Sequence, residues 1–179
     1  MKPSNVLVLP GWHGSGPQHW QTLWEQRHGY RRVDQHEWER PLRGDWLARL
    51  EDVVVDCEES PVLVAHVLAC IHVAAWAATS RHARRVKAAL LVAPLDVERA
   101  ELRARLPGWS PIALDAMAFT SVLVASGDDA LCDFERARMF AAAWGAQFVN
   151  QPDSSHLNAD SRLASWPEGH VLLQDLMKD

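Results

Sequence analysis

Short, continuously apolar segments alternate along the chain with longer amphipathic ones. The apolar runs end in polar or turn-forming residues, as strands buried on both faces do. Between two of them, Trp46, Leu50 and Val53 recur at three- to four-residue spacing, which predicts a helix. The pattern predicts strands over 5–10, 30–34, 62–66, 86–94, 120–126 and 146–150, and helices over 19–27, 45–57, 68–79, 133–144 and 167–177.

Strands that alternate with helices predict an α/β fold with a mostly parallel sheet and helices on both faces. We expect one domain over 1–179. The stretch 96–118, which carries Pro107, Gly108, Trp109 and Pro111, is irregular and is expected to form a small lid or crossover. Ligands of parallel sheets bind at the carboxyl ends of the strands, so functional side chains are expected in the loops that follow them.

Composition and charge narrow the function classes. The chain is 48% hydrophobic and 23% charged, like an ordinary globular protein, and its net charge of −5 argues against general nucleic-acid binding. No apolar run approaches the length of about 18 residues that a membrane span needs. The cysteines (Cys57, Cys70 and Cys132) fit neither a disulfide framework nor a zinc motif, so we expect a cytoplasmic protein without metal or cofactor. We expect Cys70 to be buried and Cys132 to have the better chance of lining a cleft.

Four loops, most of them at strand ends, carry polar or turn-forming residues. They are the glycine-rich loop 11–16, the turn that begins at His66, the pair Asp128-Asp129, and the loop around His156. An acid followed by a histidine in late loops has the chain order of nucleophile, acid and histidine in α/β hydrolases.

The residues in and around these loops resemble the retinoblastoma-binding protein 9 family, which are small single-domain serine hydrolases of the α/β-hydrolase fold. The resemblance runs nearly end to end. It is carried by Pro10-Gly11-Trp12, Ser15-Gly16-Pro17, His19-Trp20-Gln21, Leu63-Val64-Ala65-His66, Leu91-Val92-Ala93-Pro94, Ala125-Ser126, Asp128-Asp129, the segment from Cys132 to Ala137, the segment from His156 to Ser161, and Trp166-Pro167-Glu168-Gly169.

The resemblance implies a site in which one part is missing. In that family the elbow serine attacks an ester carbonyl, but the matching position here is Val67, which has no lone pair and cannot act as a nucleophile. His156 matches the catalytic base and Asp129 the acid, with Asp128 as the competing assignment. The oxyanion-hole donors match the backbone N–H groups of Trp12 and Leu68.

Further departures from the family pattern lie around the same expected pocket. Ala69 replaces the elbow glycine, Ala130-Leu131 follows the acid where we expect a different pair, and Ser155 precedes the histidine where we expect glycine. Their concentration favours deliberate redesign of a natural site, and a natural pseudoenzyme is the second interpretation.

Several polar residues are candidates for a replacement chemistry. His13 could be a new base, and Ser15 is expected to be structural. His72 is expected to lie off the core face of its helix, towards solvent or a neighbouring helix, and His66 to point away from the cleft. Ser155 is expected to diverge from its neighbour in sequence. The pocket candidates are therefore His13, Ser15, Ala69, His72, Leu131 and Ser155.

Two functions remain open. In the first, the dyad of His156 and Asp129 acts as a general base on ester-like or other small apolar substrates. In the second, the chain is a non-catalytic module that binds a small molecule or a protein. We expect a small-molecule partner, no nucleic acid and no membrane; the sequence does not specify the oligomeric state.

Overall fold

The computed structural model describes residues 2–161 and 163–178 and contains a six-stranded parallel sheet with the strand order β2-β1-β3-β4-β5-β6. Every neighbouring pair of strands is parallel, so the predicted single-domain α/β fold is confirmed. The strands are Val6–Leu9 (β1), Arg31–Arg32 (β2), Val62–His66 (β3), Ala88–Val92 (β4), Thr120–Ala125 (β5) and Gln147–Asn150 (β6); the helices are Trp20–His28 (α1), Arg43–Val55 (α2), Leu68–Thr79 (α3), Ala100–Arg105 (α4), Phe134–Trp144 (α5) and Pro167–Lys178 (α6).

The sheet separates two hydrophobic clusters. Alternate residues of each central strand face opposite sides, so Leu7 and Leu63 pack with α2, α3 and α5, whereas Val8 and Val64 pack with α1 and α6. A strand covered on both faces has no polar positions, which explains the continuously apolar runs in the sequence.

The topology places a crevice at the end of β1 and β3. The chain runs from β1 to β2 on one side and then crosses to β3 on the other side of β1. At such a switch point the loops after the two central strands diverge and leave room for a ligand. The loop after β1 and the turn after β3 meet there.

The structure differs from the sequence prediction mainly in the stretch 96–118, which contains the short helix α4. Strand β2 is only two residues long, because it forms the edge of the sheet and pairs with β1 alone. The bounds of the other elements shift by two residues or fewer. None of the helices in the described part of the chain combines the length and apolar character needed to cross a membrane.

Tryptophans and cysteines fill the interior. Seven tryptophans, including Trp20 and Trp109, are almost completely buried. All three cysteines are free and buried. Burial raises the pKa of the Cys132 thiol to about 12. Cys132 does not line the cavity at the switch point, so our prediction that it approaches the cleft was wrong: it lies inside the hydrophobic core.

Candidate active site

The turn after β3 has a strained backbone at its centre. Val67 has φ 58° and ψ −117°, a conformation that β-branched residues rarely adopt and that costs about 1–3 kcal/mol. Its N–H donates to the carbonyl of Val92 at 3.0 Å, and its own carbonyl accepts from Cys70 N–H at 3.1 Å. These two bonds hold the sharp reversal from strand to helix, and Val67 lines the cavity.

Gly11 approaches this turn so closely that no side chain fits at its position. A Cβ there would lie 2.6 Å from the carbonyl oxygen of His66 and 2.8 Å from Cβ of Val67. The contact fixes the loop after β1 against the start of α3. The glycine is therefore required by space rather than by a positive φ.

Two backbone amides beside the turn have no hydrogen-bond acceptor among the residues that the structure describes. Neither Trp12 N–H nor Leu68 N–H donates a hydrogen bond to any described residue. Leu68 is the first residue of α3, where orphan N–H groups and the helix dipole favour negative charge. Both residues occupy the places that the resemblance implies for oxyanion-hole donors.

His156 and Asp129 form a close pair at the same end of the sheet. Nδ1 of His156 lies 3.0 and 2.9 Å from the two carboxylate oxygens of Asp129. The Asp129 carboxylate is 2% exposed, and it also accepts the N–H of Leu131 at 2.8 Å. Because Nδ1 faces a carboxylate, the imidazole carries its proton there, and Nε2 keeps the lone pair.

Asp128 has a different set of partners. Its carboxylate accepts the hydroxyl of Ser126 at 2.5 Å, and both the N–H (2.9 Å) and the hydroxyl (3.2 Å) of Ser155. These hydrogen bonds lower the pKa of Asp128. Asp128 therefore ties the loop before His156 to the end of β5, and it is Asp129 that contacts the imidazole. Ser155 points to Asp128 and away from its neighbour, as expected from sequence.

A cavity of about 560 Å³ opens over the turn and the imidazole. Its wall is mostly apolar and contains four histidines, which come from the loop after β1, the end of β3 and the loop between β6 and α6. The lining residues are Trp12, His13, Gly14, Gly16, Pro17, Gln18, His19, His66, Val67, Leu95, Leu102, Arg105, Leu131, His156, Asn158 and Ala159. A site of this size accommodates a small organic molecule.

Two further histidines stand behind His156. The rings of His19 and His66 have centroids 4.7 Å apart, and His66 and His156 5.6 Å apart. Nε2–H of His66 donates to the carbonyl of His156 at 3.1 Å. Burial lowers the pKa of His19 to about 4 and that of His66 well below its usual range, so both rings are neutral near pH 7.

The prediction that His66 points away from the cleft was wrong. Strand alternation does direct His66 to the α1 and α6 face, together with Val62 and Val64. The loops that carry His19 and His156 fold over that face, so its wall becomes part of the cavity.

Three other pocket candidates do not reach the cavity. His72 is completely buried, and its Nε2–H donates to the carbonyl of Trp46 in α2 at 2.8 Å, because α3 is covered on all sides. Ala69 is buried in the first turn of α3. The Ser15 hydroxyl donates to Gln21 Oε1 at 2.6 Å and joins the first loop to α1. Of the candidates, His13 and Leu131 line the cavity.

Sequence reasoning missed two of the polar lining residues. His19 lies within one of the quoted motifs, and its Nδ1 accepts the N–H of Gln21 at 3.2 Å at the start of α1. Arg105 lies at the end of α4, in the stretch without a sequence period, and nothing in the pattern pointed to it. Among the described residues, no group of three or more histidine, cysteine, aspartate or glutamate side chains could hold a metal ion.

The family model that matches the chain is that of serine hydrolases, and it spans residues 6–175. No curated protein sequence matches the chain. The serine hydrolase family model thus covers almost the entire chain, including the loop after β1 and the loop that carries His156.

Solved structures with the same fold include a protein from Pectobacterium atrosepticum described as a YdeN-like hydrolase. The identity is 24%, the TM-score is 0.83, and the alignment covers 97% of this chain and 90% of that chain. The ydeN gene product of Bacillus subtilis has 18% identity and a TM-score of 0.78, over 97% and 98% of the two chains. Est1E from Butyrivibrio proteoclasticus, solved with ferulic acid, has 14% identity and a TM-score of 0.70, over 94% and 88%. At these identities the likeness concerns the fold.

Proposed function

The chain belongs to the serine hydrolase family, and from this premise we propose that it hydrolyses small ester-like molecules by general-base catalysis, without a covalent intermediate. The observation that supports this proposal is the pairing of Asp129 with His156 beside a cavity where the family's serine position is Val67. A paired imidazole keeps its function as a base when the nucleophile is absent.

In the proposed reaction, His156 first accepts a proton from water and later returns it to the leaving alcohol. Nε2 of His156 accepts a proton from a water molecule as the water oxygen attacks the ester carbonyl carbon. The N–H groups of Trp12 and Leu68 stabilise the negative oxygen that forms. The tetrahedral intermediate then expels the alcohol oxygen, which takes the proton from the imidazolium of His156. Asp129 orients the ring and stabilises its charged form.

The test is turnover of 4-nitrophenyl acetate. Removal of a general base costs about 100-fold or more in rate, so we expect His156→Ala to lose that factor in kcat/KM, and Asp129→Asn to lose a substantial part of it. His36→Ala is the matched control: His36 is exposed, and loss of its imidazole should leave kcat/KM unchanged. Equal rates in wild type and His156→Ala would contradict the proposal.

The absence of a covalent route has its own readout. Treatment with a fluorophosphonate followed by intact-mass measurement should leave the wild-type mass unchanged, because Val67 offers no oxygen to phosphonylate. An adduct on any serine, cysteine or histidine would reveal a replacement nucleophile and overturn the non-covalent mechanism.

The second candidate is a binding module that retains the cavity and does not catalyse. It is favoured by the apolar Val67 side chain in the cavity wall. In that case small esters bind, and turnover by wild type does not exceed that of His156→Ala.

We also propose a more specific family group for the chain and two possible origins of its altered site. The motifs shared with the retinoblastoma-binding protein 9 group support membership of that group and a small-molecule substrate. The free cysteines Cys57, Cys70 and Cys132 support a reducing cytoplasm. The departures around the site support either redesign or natural divergence. A natural gene that encodes Val67 and Ala69 together with the other changes would exclude redesign.

A further inference from the structure

The described residues that line the cavity include a positively charged side chain and no negatively charged one. Arg105 is the lining residue with a permanent charge, and no aspartate or glutamate is among the described residues that line the wall. Two carboxylates contact histidines of the wall from outside it: Asp129 lies behind His156 at 2.9 Å, and Glu39 lies 2.9 Å from His13. Arg105 therefore places a positive charge in the cavity wall, although the whole chain carries a net charge of −5.

Arg105 is held in place without being neutralised. Its guanidinium carbon lies 4.4 Å from the centroid of the Trp12 ring, a cation–π contact. The Trp12 indole is itself fixed, because its Nε1–H donates to the carbonyl of Glu39 at 3.0 Å. In the described part of the chain Arg105 has no carboxylate partner. By contrast Arg99, which directly precedes α4, pairs with Glu101 at 2.8 Å. The five guanidinium donors are thus free for a ligand.

We infer that Arg105 selects substrates that carry a carboxylate, such as the half-ester of a short dicarboxylic acid. This inference rests on the proposed function, since it concerns the same cavity. The carboxylate would bind the guanidinium at the rim in a two-pronged arrangement, and the apolar chain would extend over Leu102 and Val67 towards His156. One arginine matches one carboxylate, whereas a doubly charged phosphate would be left partly uncompensated.

The test compares two esters that differ by one charge. Isothermal titration calorimetry measures the binding of monomethyl adipate, which has one carboxylate, and of dimethyl adipate, which has none. We expect wild type to bind the half-ester about five- to tenfold more tightly, because a charge-assisted hydrogen bond at a partly exposed site contributes a factor of that size. The preference should weaken as salt increases.

Three variants test whether the preference for the half-ester depends on Arg105. Arg105→Gln should bind both esters equally. Arg103→Gln, on the same helix but outside the cavity lining, should keep the preference, because its guanidinium donates to the carbonyl of Glu98 at 3.2 Å. His156→Ala should also keep it, so a failure of the catalytic proposal is distinguishable from a failure of this one. Circular dichroism confirms that each variant is folded.

Equal affinity of wild type for the two esters would overturn the inference. So would a preference that persists in Arg105→Gln, an equal loss in Arg103→Gln, or the failure of the half-ester to bind.

Discussion

At the scale of single residues, the backbone conformation of Val67 and its side chain suit different functions. Its backbone keeps the strained turn that exposes a nucleophile at the top of an α/β-hydrolase sheet, yet its side chain is inert. The surrounding bonds to Val92 and Cys70 and the close contact of Gly11 hold the turn. The strain is thus imposed by the fold and does not depend on which side chain occupies the position.

Val67→Ser therefore restores a nucleophile without rebuilding the turn. We expect this variant to form a stable adduct with a fluorophosphonate at position 67 and to show a burst of 4-nitrophenol from 4-nitrophenyl acetate. The control Val67→Ala has the same turn and no hydroxyl, and should form no adduct. Failure of Val67→Ser to react would show that His156 and the two amides are not aligned for covalent chemistry.

At the scale of elements, the site depends on how tightly the loop after β1 packs on the start of α3. The amides of Trp12 and Leu68 belong to these two segments, and Gly11 sets their separation. Histidines add further links across the same end of the sheet, since His66 in β3 donates to the carbonyl of His156. A small shift of one segment would separate the amides from the imidazole.

Gly11→Ala is expected to damage both stability and site. The added methyl would lie within 3 Å of the His66 carbonyl and Val67 Cβ, so one segment must move, at a cost of about 1–3 kcal/mol in the free energy of unfolding. Gly16→Ala is the matched control, since a Cβ there meets nothing within 4 Å. Urea denaturation measures both variants, and an equal midpoint for the two would contradict the packing argument.

At the scale of the whole molecule, buried histidines make the fold sensitive to acid. His19 and His72 have pKa values lowered to about 4 by burial, and the pKa of His66 is lowered well below its usual range. The unfolded chain binds protons at these residues below about pH 6.5. The folded chain binds them only nearer pH 4, so stability is complete above pH 6.5 and is lost as the pH falls from 6.5 towards 4.

We expect the free energy of unfolding to decrease by up to about 1.4 kcal/mol per pH unit for each of these histidines in that range. Urea denaturation at several pH values measures the slope. His72→Gln removes one titrating group while its side-chain amide can still donate to Trp46, so its slope should be shallower. His36→Asn, at an exposed position, should leave the slope unchanged. A free energy constant between pH 7 and 5 would contradict the expectation.

The pattern of apolar and amphipathic segments along the sequence predicts all six strands and five of the six helices. Strands covered on both faces contain only apolar residues, so β3 and α3 were predicted with the bounds that the structure gives. The proposed places of Asp129 and His156 follow from the order of an acid and then a histidine in late loops, and those of Trp12 and Val67 from the resemblance to the family. The irregular segment around α4 gave no such signal, because a six-residue helix is too short to establish a period.

Which side chains contact one another depends on the packing of segments that are distant in sequence. The pairing of Asp129 with His156 and the position of Asp128 depend on how two loops distant in sequence approach each other. His72 is buried because α2 and the segment of Trp109 cover α3 from outside, which helical periodicity cannot reveal. Arg105 reaches the cavity because α4 packs beside Trp12. Sequence patterns record which local environments a residue suits, whereas contacts between loops arise from the packing of the complete chain.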